Sequence, residues 1–359
     1  MKFEPLIQSL IKKKIMPGMS VLVARRDQIL LQNHYGYKSI IPEREKLHEH
    51  TLYDTASLTK PLVTSFLIAY MIENKMIRLD TEIKKVFPDF PFSISVLQLL
   101  THTSGFPAWF PFFLYPADYR IQLNALSLES APGKKVNYSC PGYILLYYLI
   151  EKVSGRCFSE MAGEIIFDEL NLRHTYLKVP ENLKIKAAPT EKGNYYEKRM
   201  ATKIDRAGSR AFDWKDGIIR GDTHDLNSYH LGGTAGNSGL FSTTGDLFRL
   251  TLEFFPETAT ILKPPTLKLF RKNFTPGEKS HRSLGFKLNT SLISSGGKTI
   301  SPFAIGHSGF TGTSVWLEPE TQSTYILLSN QIHPRVRSIN FNRYRRRLHN
   351  QLKTEFNLP

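Results

Sequence analysis

Ser57 and Lys60 are the residues whose types and spacing point most directly to chemistry. On a helix, residues three apart lie on the same face, so this hydroxyl and this amine would be within reach of each other. A serine hydroxyl becomes a good nucleophile only when a base takes its proton. Lysine serves as that base when apolar burial or nearby positive charge favours its neutral form. The pair therefore predicts nucleophilic catalysis through a proton relay.

A buried helix must position this pair. Small polar residues before Ser57 lead into an apolar run from Pro61 to Ile72, which predicts a loop that enters a buried helix with Ser57 at or near its first position. Pro61 fits there because the amides of a first helical turn have no acceptor within the helix. The alternative is a serine N-cap followed by a solvated lysine. The spacing alone favours that alternative, because it is common by chance.

Composition limits the class of protein. The chain has 359 residues, of which 41% are hydrophobic, enough for one large domain or two interleaved ones. No apolar run approaches the roughly 20 residues of a membrane span. Glu4 and Pro5 interrupt the start of the chain, so we expect a cytoplasmic protein, or a periplasmic one if a leader has been removed. Cys140 and Cys157 are expected to be free thiols. The histidines lack metal-ligand spacing, so neither a metal nor another cofactor is predicted.

The formal net charge of +15 raises the question of an anionic partner. The charge is densest near the C-terminus, at Arg335, Arg337, Arg343, Arg345, Arg346, Arg347 and Lys353. Apolar residues recur there at about helical intervals, which predicts a helix with one packed face and one solvated basic face. Peripheral contact of that basic face with an anionic surface stays open. No nucleic-acid motif accompanies the charge, so no nucleic-acid partner is expected.

Strands are predicted at both ends of the chain. Residues 5–13 carry apolar side chains at helical spacing, and residues 19–24 and 28–33 flank a polar turn, which predicts a hairpin. Residues 314–317 and 323–329 predict two more strands, separated by a turn that contains a proline. These segments predict a sheet to which both chain ends contribute.

The middle of the chain is predicted to be mostly helical, from Ser57 to about residue 290, with an apolar helix from Gly142 to Ser154. Residues 187–221 are polar, basic and weakly periodic, so we expect a long surface loop. The glycine-dense turn 232–241 lacks the strand context and the lysine of a phosphate loop, which argues against nucleotide binding there. The predicted fold class is α/β (α+β), with a central antiparallel sheet built from both chain termini, flanking helices and a large, mostly helical insertion.

Five motifs occur in an order that resembles the serine beta-lactamase and penicillin-binding-protein fold. They are Ala56-Ser57-Leu58-Thr59-Lys60, Leu99 to Gly105, Asn137-Tyr138-Ser139, Gly232 to Phe241 and Gly306 to Ser314. The chain looks most similar to class C-like esterases and to hydrolases related to penicillin-binding protein 4B. The resemblance covers nearly the whole chain. It implies a single catalytic unit over residues 1–359, with residues 1–50 and 290–359 forming an α/β sheet subdomain and residues 51–289 a mostly helical one.

The resemblance also implies roles for the matched residues. Ser57 would attack a carbonyl carbon to form an acyl-enzyme, Lys60 would hold or take its proton, and Tyr138 would act as general base or acid in the two half-reactions. The backbone amides of Ser57 and Phe310 would form the oxyanion hole. His307 would complete the catalytic group. The residues expected to contact substrate are Cys140, Ser308, Gly309 and Thr311. Considered alone, Tyr138 is better explained as an ordinary interfacial tyrosine, and His307 as a histidine in a turn. The catalytic prediction therefore depends on the motifs occurring together.

Two residues depart from the pattern of penicillin-recognising relatives. His307 stands where those proteins have a lysine, and imidazole is largely neutral at pH 7. Cys140 stands where a polar side chain is common, and a thiol is a weak hydrogen-bond partner. We therefore expect weak or no beta-lactamase activity. We also expect the site to favour ester or amide substrates over substrates with a free carboxylate. The favoured function is a metal-free serine hydrolase that cleaves an ester, amide or peptide bond in a small-molecule or muropeptide-like, cell-wall-derived substrate. The alternative is a non-catalytic sensor or scaffold protein.

Overall fold

Strands from both chain ends pair into one seven-stranded antiparallel sheet in the computed structural model, which describes residues 1–358. The strands are β1 Gly18–Arg25, β2 Gln28–Ser39, β3 Glu45–Lys46, β4 Tyr53–Asp54, β5 Phe241–Ser242, β6 Lys287–Leu288, β7 Ile305–Ser308, β8 Ser314–Glu318 and β9 Ser323–Leu328. The sheet order is β3-β2-β1-β9-β8-β7-β6, while β4 and β5 form a separate pair. β1 and β9 lie side by side, with Val21 opposite Leu327. The predicted sheet from both termini is confirmed.

Helices cover both faces of this sheet. The α-helices are α1 Glu4–Lys12, α2 Phe66–Glu73, α3 Val96–Leu100, α4 Tyr119–Asn124, α5 Cys140–Ser154, α6 Phe158–Ala162, α7 Tyr195–Ile204, α8 Arg206–Ala211, α9 Leu226–His230, α10 Thr244–Leu252, α11 Pro264–Leu269 and α12 Asn342–Glu355. Short 3₁₀ helices span Ala56–Leu58, Ile83–Lys85, Phe112–Leu114 and Glu181–Lys186, and π-helical turns span Lys60–Ser65 and Gly163–Asp168. No helix within residues 1–358 combines the length and the apolar character needed to cross a bilayer.

The two faces of the sheet bury different apolar clusters, because successive side chains of a strand point to opposite faces. Val21 and Val23 pack with side chains of α1 and α12, whereas Leu22 and Ala24 pack with the helices of the central part of the chain. The amphipathic pattern of α1 buries Leu6, Ile7 and Leu10. The helix predicted at 5–13 and the hairpin that follows it are therefore present. The sheet also includes β6, which begins three residues before the expected boundary at residue 290.

The surface loop predicted for residues 187–221 is wrong, because the segment contains α7 and α8. α7 buries only Glu197 and Ala201, which lie four positions apart on one face. α8 begins where the side chain of Asp205 accepts a hydrogen bond from the Gly208 amide at 2.9 Å. With one charged and one small residue on the packed face, the apolar periodicity of this segment is too weak to reveal a helix.

The C-terminal helix α12 is present as expected, and it buries Leu348 and Leu352. The predicted division between a packed apolar face and a solvated basic face is only partly correct. Arg347 is exposed, but Arg345 is buried, with 5% of its surface accessible. This arginine points toward the functional site.

Candidate active site

Ser57 lies in a 3₁₀ turn that continues directly into the buried helical segment ending at Glu73. Ala56, the residue before it, has a φ of 50°, a conformation that costs a non-glycine residue about 1–2 kcal/mol. Two hydrogen bonds hold the turn: the Ala56 amide donates to Asp54 Oδ1 at 2.8 Å, and Thr59 Oγ1 donates to the Ala56 carbonyl at 2.7 Å. The chain is thus fixed in a tight turn that presents the Ser57 side chain to a cavity.

Lys60 lies beneath Ser57 and is fully buried. Its Nζ is 3.2 Å from Ser57 Oγ, 2.8 Å from the Asn237 carbonyl oxygen and 3.6 Å from Cys140 Sγ. Burial by itself lowers the pKa of Lys60, but the combined effects of Cys140 and Tyr138 outweigh it and raise that pKa above its ordinary value. The carbonyl acceptor also favours an ammonium group. Burial therefore acts in the expected direction, toward a neutral amine, but the neighbouring groups outweigh it and favour the ammonium form.

Tyr138 stands between several positive groups. The ammonium nitrogen of Lys60 is 5.0 Å from the centre of its ring, and the guanidinium carbon of Arg282 is 5.4 Å from it. The ring precedes α5, and the neighbouring Ser139 amide donates to His102 Nδ1 at 3.1 Å. His102 in turn packs against the phenol, with ring centres 4.4 Å apart. The start of α5 and His102 therefore fix the phenol beside the ammonium group of Lys60.

His307 lies at the same site, on β7, with its ring centre 5.9 Å from that of Tyr138. Burial, helped by the charges of Arg282 and Lys60, lowers the pKa of His307 well below its ordinary value. The imidazole is therefore neutral, as the sequence suggested. Its Nδ1 is buried and has no hydrogen-bond partner within residues 1–358. The structure thus brings Ser57, Lys60, Tyr138 and His307 together from distant parts of the chain.

Ser57 and Phe310, whose backbone amides the sequence proposed as the oxyanion hole, line the same two cavities. The N–H groups of Ser57 and Phe310 donate to no backbone acceptor among the described residues. The segments that carry these amides are tied to each other, because Thr311 Oγ1 donates to the Asp54 carbonyl at 2.7 Å and Thr313 Oγ1 donates to the Thr55 carbonyl at 2.9 Å. The arrangement fits a two-donor oxyanion hole.

Two cavities meet at Ser57. The larger, of about 800 Å³, is lined among others by Ser57, Tyr138, His307, Ser308, Gly309 and Phe310. The smaller, of about 230 Å³, is lined among others by Ser57, Tyr138, Cys140, Phe310 and Thr311. Every residue that the sequence proposed for the site lines one of the two cavities, except Lys60, which supports Ser57 from below. The hydroxyl of Thr311 is already engaged with the Asp54 carbonyl, so this residue offers the cavity mainly its methyl group and backbone.

The larger cavity also holds positive residues that sequence reasoning missed as site residues, namely Arg199, Arg282, Lys287, Arg337 and Arg345. Arg282 and Arg345 are buried, at 3% and 5% exposed. Burial, reinforced by the charges of Arg282 and Arg345, lowers the pKa of Lys287 to about 7. The absence of a lysine at position 307 therefore does not leave the site without positive charge. No single sequence motif contains these five residues, so only their convergence in the fold reveals them.

The smaller cavity has the opposite character. Its lining includes the acidic residues Asp54, Glu197 and Asp225 and no lysine or arginine. Burial, together with the nearby charge of Asp225, raises the pKa of Glu197 well above its ordinary value. Ser57 therefore lies between a cationic cavity and an acidic one. Within residues 1–358, no group of three or more histidine, cysteine or acidic side chains is arranged to hold a metal ion.

Comparison with known proteins identifies the family of the chain. The family model described as Beta-lactamase matches residues 3–348. A protein of Escherichia coli K12, provisionally named D-alanyl-D-alanine carboxypeptidase, is 28% identical over 89% of this chain and 80% of its own length. A relative from Salmonella typhi with the same provisional name is 25% identical with the same coverage.

Solved structures share the fold at low sequence identity. EstCE1, described as a hydrolase with promiscuous acyltransferase activity, superposes with a TM-score of 0.74 at 17% identity, covering 97% of each chain. A class C beta-lactamase gives a TM-score of 0.74 at 20% identity, covering 97% of this chain and 94% of its own. The octameric penicillin-binding protein homologue from Pyrococcus abyssi gives 0.73 at 20% identity, with 99% and 77% covered. The chain belongs to the beta-lactamase family and is a serine hydrolase.

Proposed function

We propose that the protein cleaves an ester, amide or peptide bond through an acyl-enzyme on Ser57. One observation carries the proposal: the Ser57 hydroxyl lies 3.2 Å from the Lys60 ammonium nitrogen and lines the same cavity as Phe310, and the amides of Ser57 and Phe310 have no backbone acceptor among the described residues. A nucleophile, a positive charge and an oxyanion hole are the groups that acyl transfer needs.

In this mechanism Tyr138 takes the Ser57 proton while Oγ attacks the substrate carbonyl carbon. Lys60 stays protonated, and its ammonium group and the guanidinium group of Arg282, which both lie against the Tyr138 ring, supply positive charge beside the phenol while it exchanges this proton. The negative charge that develops on the carbonyl oxygen is held by the amides of Ser57 and Phe310. Tyr138 returns its proton to the leaving group as the bond to that group breaks. A water molecule then repeats the sequence at the acyl carbon, releasing the acid and restoring the Ser57 hydroxyl.

For the substrate, we propose a small ester or a muropeptide-like peptide. The provisional name of the curated relatives favours a peptide that ends in a free carboxylate, and the cationic lining of the larger cavity fits such an end. We keep the prediction of weak or no beta-lactamase activity. Cys140 Sγ lies 3.6 Å from Lys60 Nζ and offers an amide side chain little hydrogen bonding.

Mass spectrometry of the intact protein tests the proposal. The protein would be incubated with activated esters, penicillins and D-alanyl-D-alanine peptides, in parallel with the Ser57→Ala variant. We expect an acyl adduct on Ser57 that is released with time, and no adduct on the variant. Equal ester cleavage by the variant would overturn the proposal. Failure of every serine-directed probe to label the parent would favour the non-catalytic sensor or scaffold instead.

A further inference from the structure

The larger cavity concentrates positive charge that no acidic side chain neutralises. Its lining includes four arginines and one lysine but neither aspartate nor glutamate. Among the described residues, none of these five cations takes part in an ion pair, although other lysines and arginines of the chain do. Buried charges are normally paired, because removing them from water is costly. The exception occurs at the cavity where substrate must bind.

The two buried arginines are also incompletely hydrogen bonded. Arg282 donates from Nε to Ser280 Oγ at 3.0 Å, while its Nη1 has no partner within residues 1–358. Arg345 donates from Nη1 to Asn342 and from Nη2 to the Gly309 carbonyl, while its Nε lacks a partner. The acceptors that they do have carry no formal charge. Their positive charges therefore remain uncompensated by protein.

The three inner cations also repel one another. Lys287, which is partly buried, lines the same cavity as the buried Arg282 and Arg345, and like charges that share a cavity repel. One carboxylate can offset only one of these charges. Arg337 and the exposed Arg199 add two more cations to the lining. The positive charge that lines the cavity is therefore larger than the single negative charge of a peptide's C-terminal carboxylate.

We propose that the larger cavity binds a substrate portion that carries two negative charges, with Lys287 and Arg282 as its principal charged contacts. The inference rests on the proposed function, and it names the substrate class for that site: a compound whose leaving group is doubly anionic. Two carboxylates or one phosphate monoester have this chemistry in common. The smaller cavity does not compete for the group, because no lysine or arginine lines it. The charge pattern therefore also orients the substrate across Ser57.

A matched set of substrates tests the inference. All would share an N-acetyl-D-alanyl acyl group and differ in the leaving group: D-alaninamide, D-alanine, D-glutamate, or aminoethyl phosphate. We expect kcat/KM for the D-glutamate and phosphate compounds to exceed that for the D-alanine compound by about 10-fold at low salt, because close opposite charges add electrostatic attraction. The advantage should shrink as salt screens the charges. Faster cleavage of both dianionic compounds than of the D-alanine compound supports the recognition of two negative charges. Faster cleavage of only one of them shows whether the cavity prefers two carboxylates or a phosphate monoester.

Variants assign the effect to the cavity. At about pH 6, below the pKa of Lys287 of about 7, Lys287→Met should reduce the preference for dianionic over neutral substrates by about 10-fold, the size expected for the loss of one close charge partner. Lys268→Met removes an exposed lysine from α11 and should leave the preference unchanged. Equal kcat/KM for dianionic and monoanionic substrates in the parent would overturn the inference, as would a preference that Lys287→Met leaves intact.

Binding to the Ser57→Ala protein separates this inference from the proposed function. Calorimetry with the D-glutamate and D-alanine compounds measures the preference for a dianion over a monoanion without turnover. Tighter binding of the D-glutamate compound supports the charge assignment even if no compound is cleaved, in which case the hydrolase proposal fails alone. Cleavage of neutral esters without any preference for dianions leaves the hydrolase proposal standing and ends the inference.

Discussion

Arg345 donates a hydrogen bond from Nη2 to the carbonyl oxygen of Gly309 at 2.7 Å. That carbonyl belongs to the same peptide unit as the N–H of Phe310, the second proposed oxyanion donor. In a trans peptide the C=O and N–H groups point in opposite directions, so an arginine that fixes one also fixes the other. Its positive charge further polarises the N–H toward a substrate oxygen. Helix α12 thus supports the oxyanion hole from behind.

We therefore expect Arg345→Met to weaken catalysis through Phe310. Measured with a neutral ester, kcat should fall by about 10- to 100-fold, somewhat less than the loss on removing an oxyanion donor outright. KM should change little, because a neutral ester does not use the positive charge of the cavity. Arg347→Met, an exposed change on the same helix, is the matched control. An effect confined to KM would show that Arg345 does not position the oxyanion hole.

Gly309→Ala should damage the same feature by a different route. A Cβ atom at this position would collide with Thr313 Oγ1 and with the Thr55 carbonyl oxygen. The carbonyl is part of the backbone, so the two segments that carry the oxyanion donors must move apart. We expect kcat for ester hydrolysis to fall by about 100-fold or more. Gly245→Ala, at a helical glycine with open space around it, should leave kcat unchanged. Full activity of the Gly309 variant would contradict this account.

Many strands and helices of the fold could be predicted, because the sequence patterns that indicate them are local. The short apolar run that contains Val21, Leu22 and Val23 beside a polar turn is typical of a strand, and the spacing of Leu6, Ile7 and Leu10 is typical of a helix; both patterns led to the correct elements. The order of short motifs led to the family. These signals reside in neighbouring residues and do not depend on the rest of the chain.

The charge of the site could not be predicted, because it depends on contacts between distant residues. Lys60 lies in a strongly apolar stretch, yet its charged form is favoured by Asn237, Cys140 and Tyr138, which come from elsewhere in the chain. Arg345 belongs to an amphipathic basic helix, where an outward direction was the natural expectation. Arg345 is buried because α12 packs beside Gly309. That contact joins distant segments of the chain, so the local sequence pattern does not predict it.

The pH dependence of substrate preference should follow Lys287. Its pKa is lowered to about 7, so the side chain is positive below that pH and neutral above it. Arg282 faces the same cavity and stays positive, and the pKa of Arg345 is lowered by burial only to about 9. We therefore expect kcat/KM for an anionic substrate, divided by that for a neutral one, to fall between about pH 6 and about pH 8, since kcat/KM reports the free enzyme.

Two variants of Lys287 check that assignment. Lys287→Arg should move the fall to higher pH, because arginine keeps its charge. Lys287→Met should remove this fall, which appears as a step when the ratio of the two kcat/KM values is plotted against pH. A step near neutral pH that persists in the methionine variant would have to come from another group, such as an ionisable group of the substrate.

Thr311→Val tests whether the link between the two oxyanion segments matters. The change keeps the shape of the side chain but removes the hydrogen bond from Oγ1 to the Asp54 carbonyl, which is buried. The free energy of unfolding should fall by about 1–3 kcal/mol, because the carbonyl loses a partner away from water. We also expect kcat to fall several-fold, since Phe310 adjoins the loosened residue. Thr354→Val removes a comparable hydroxyl on the exposed end of α12 and should change neither quantity. Denaturant unfolding and ester kinetics measure both effects. If stability falls while kcat stays the same, the hydrogen bond supports the fold alone and the oxyanion hole is held by the bond from Thr313 to Thr55.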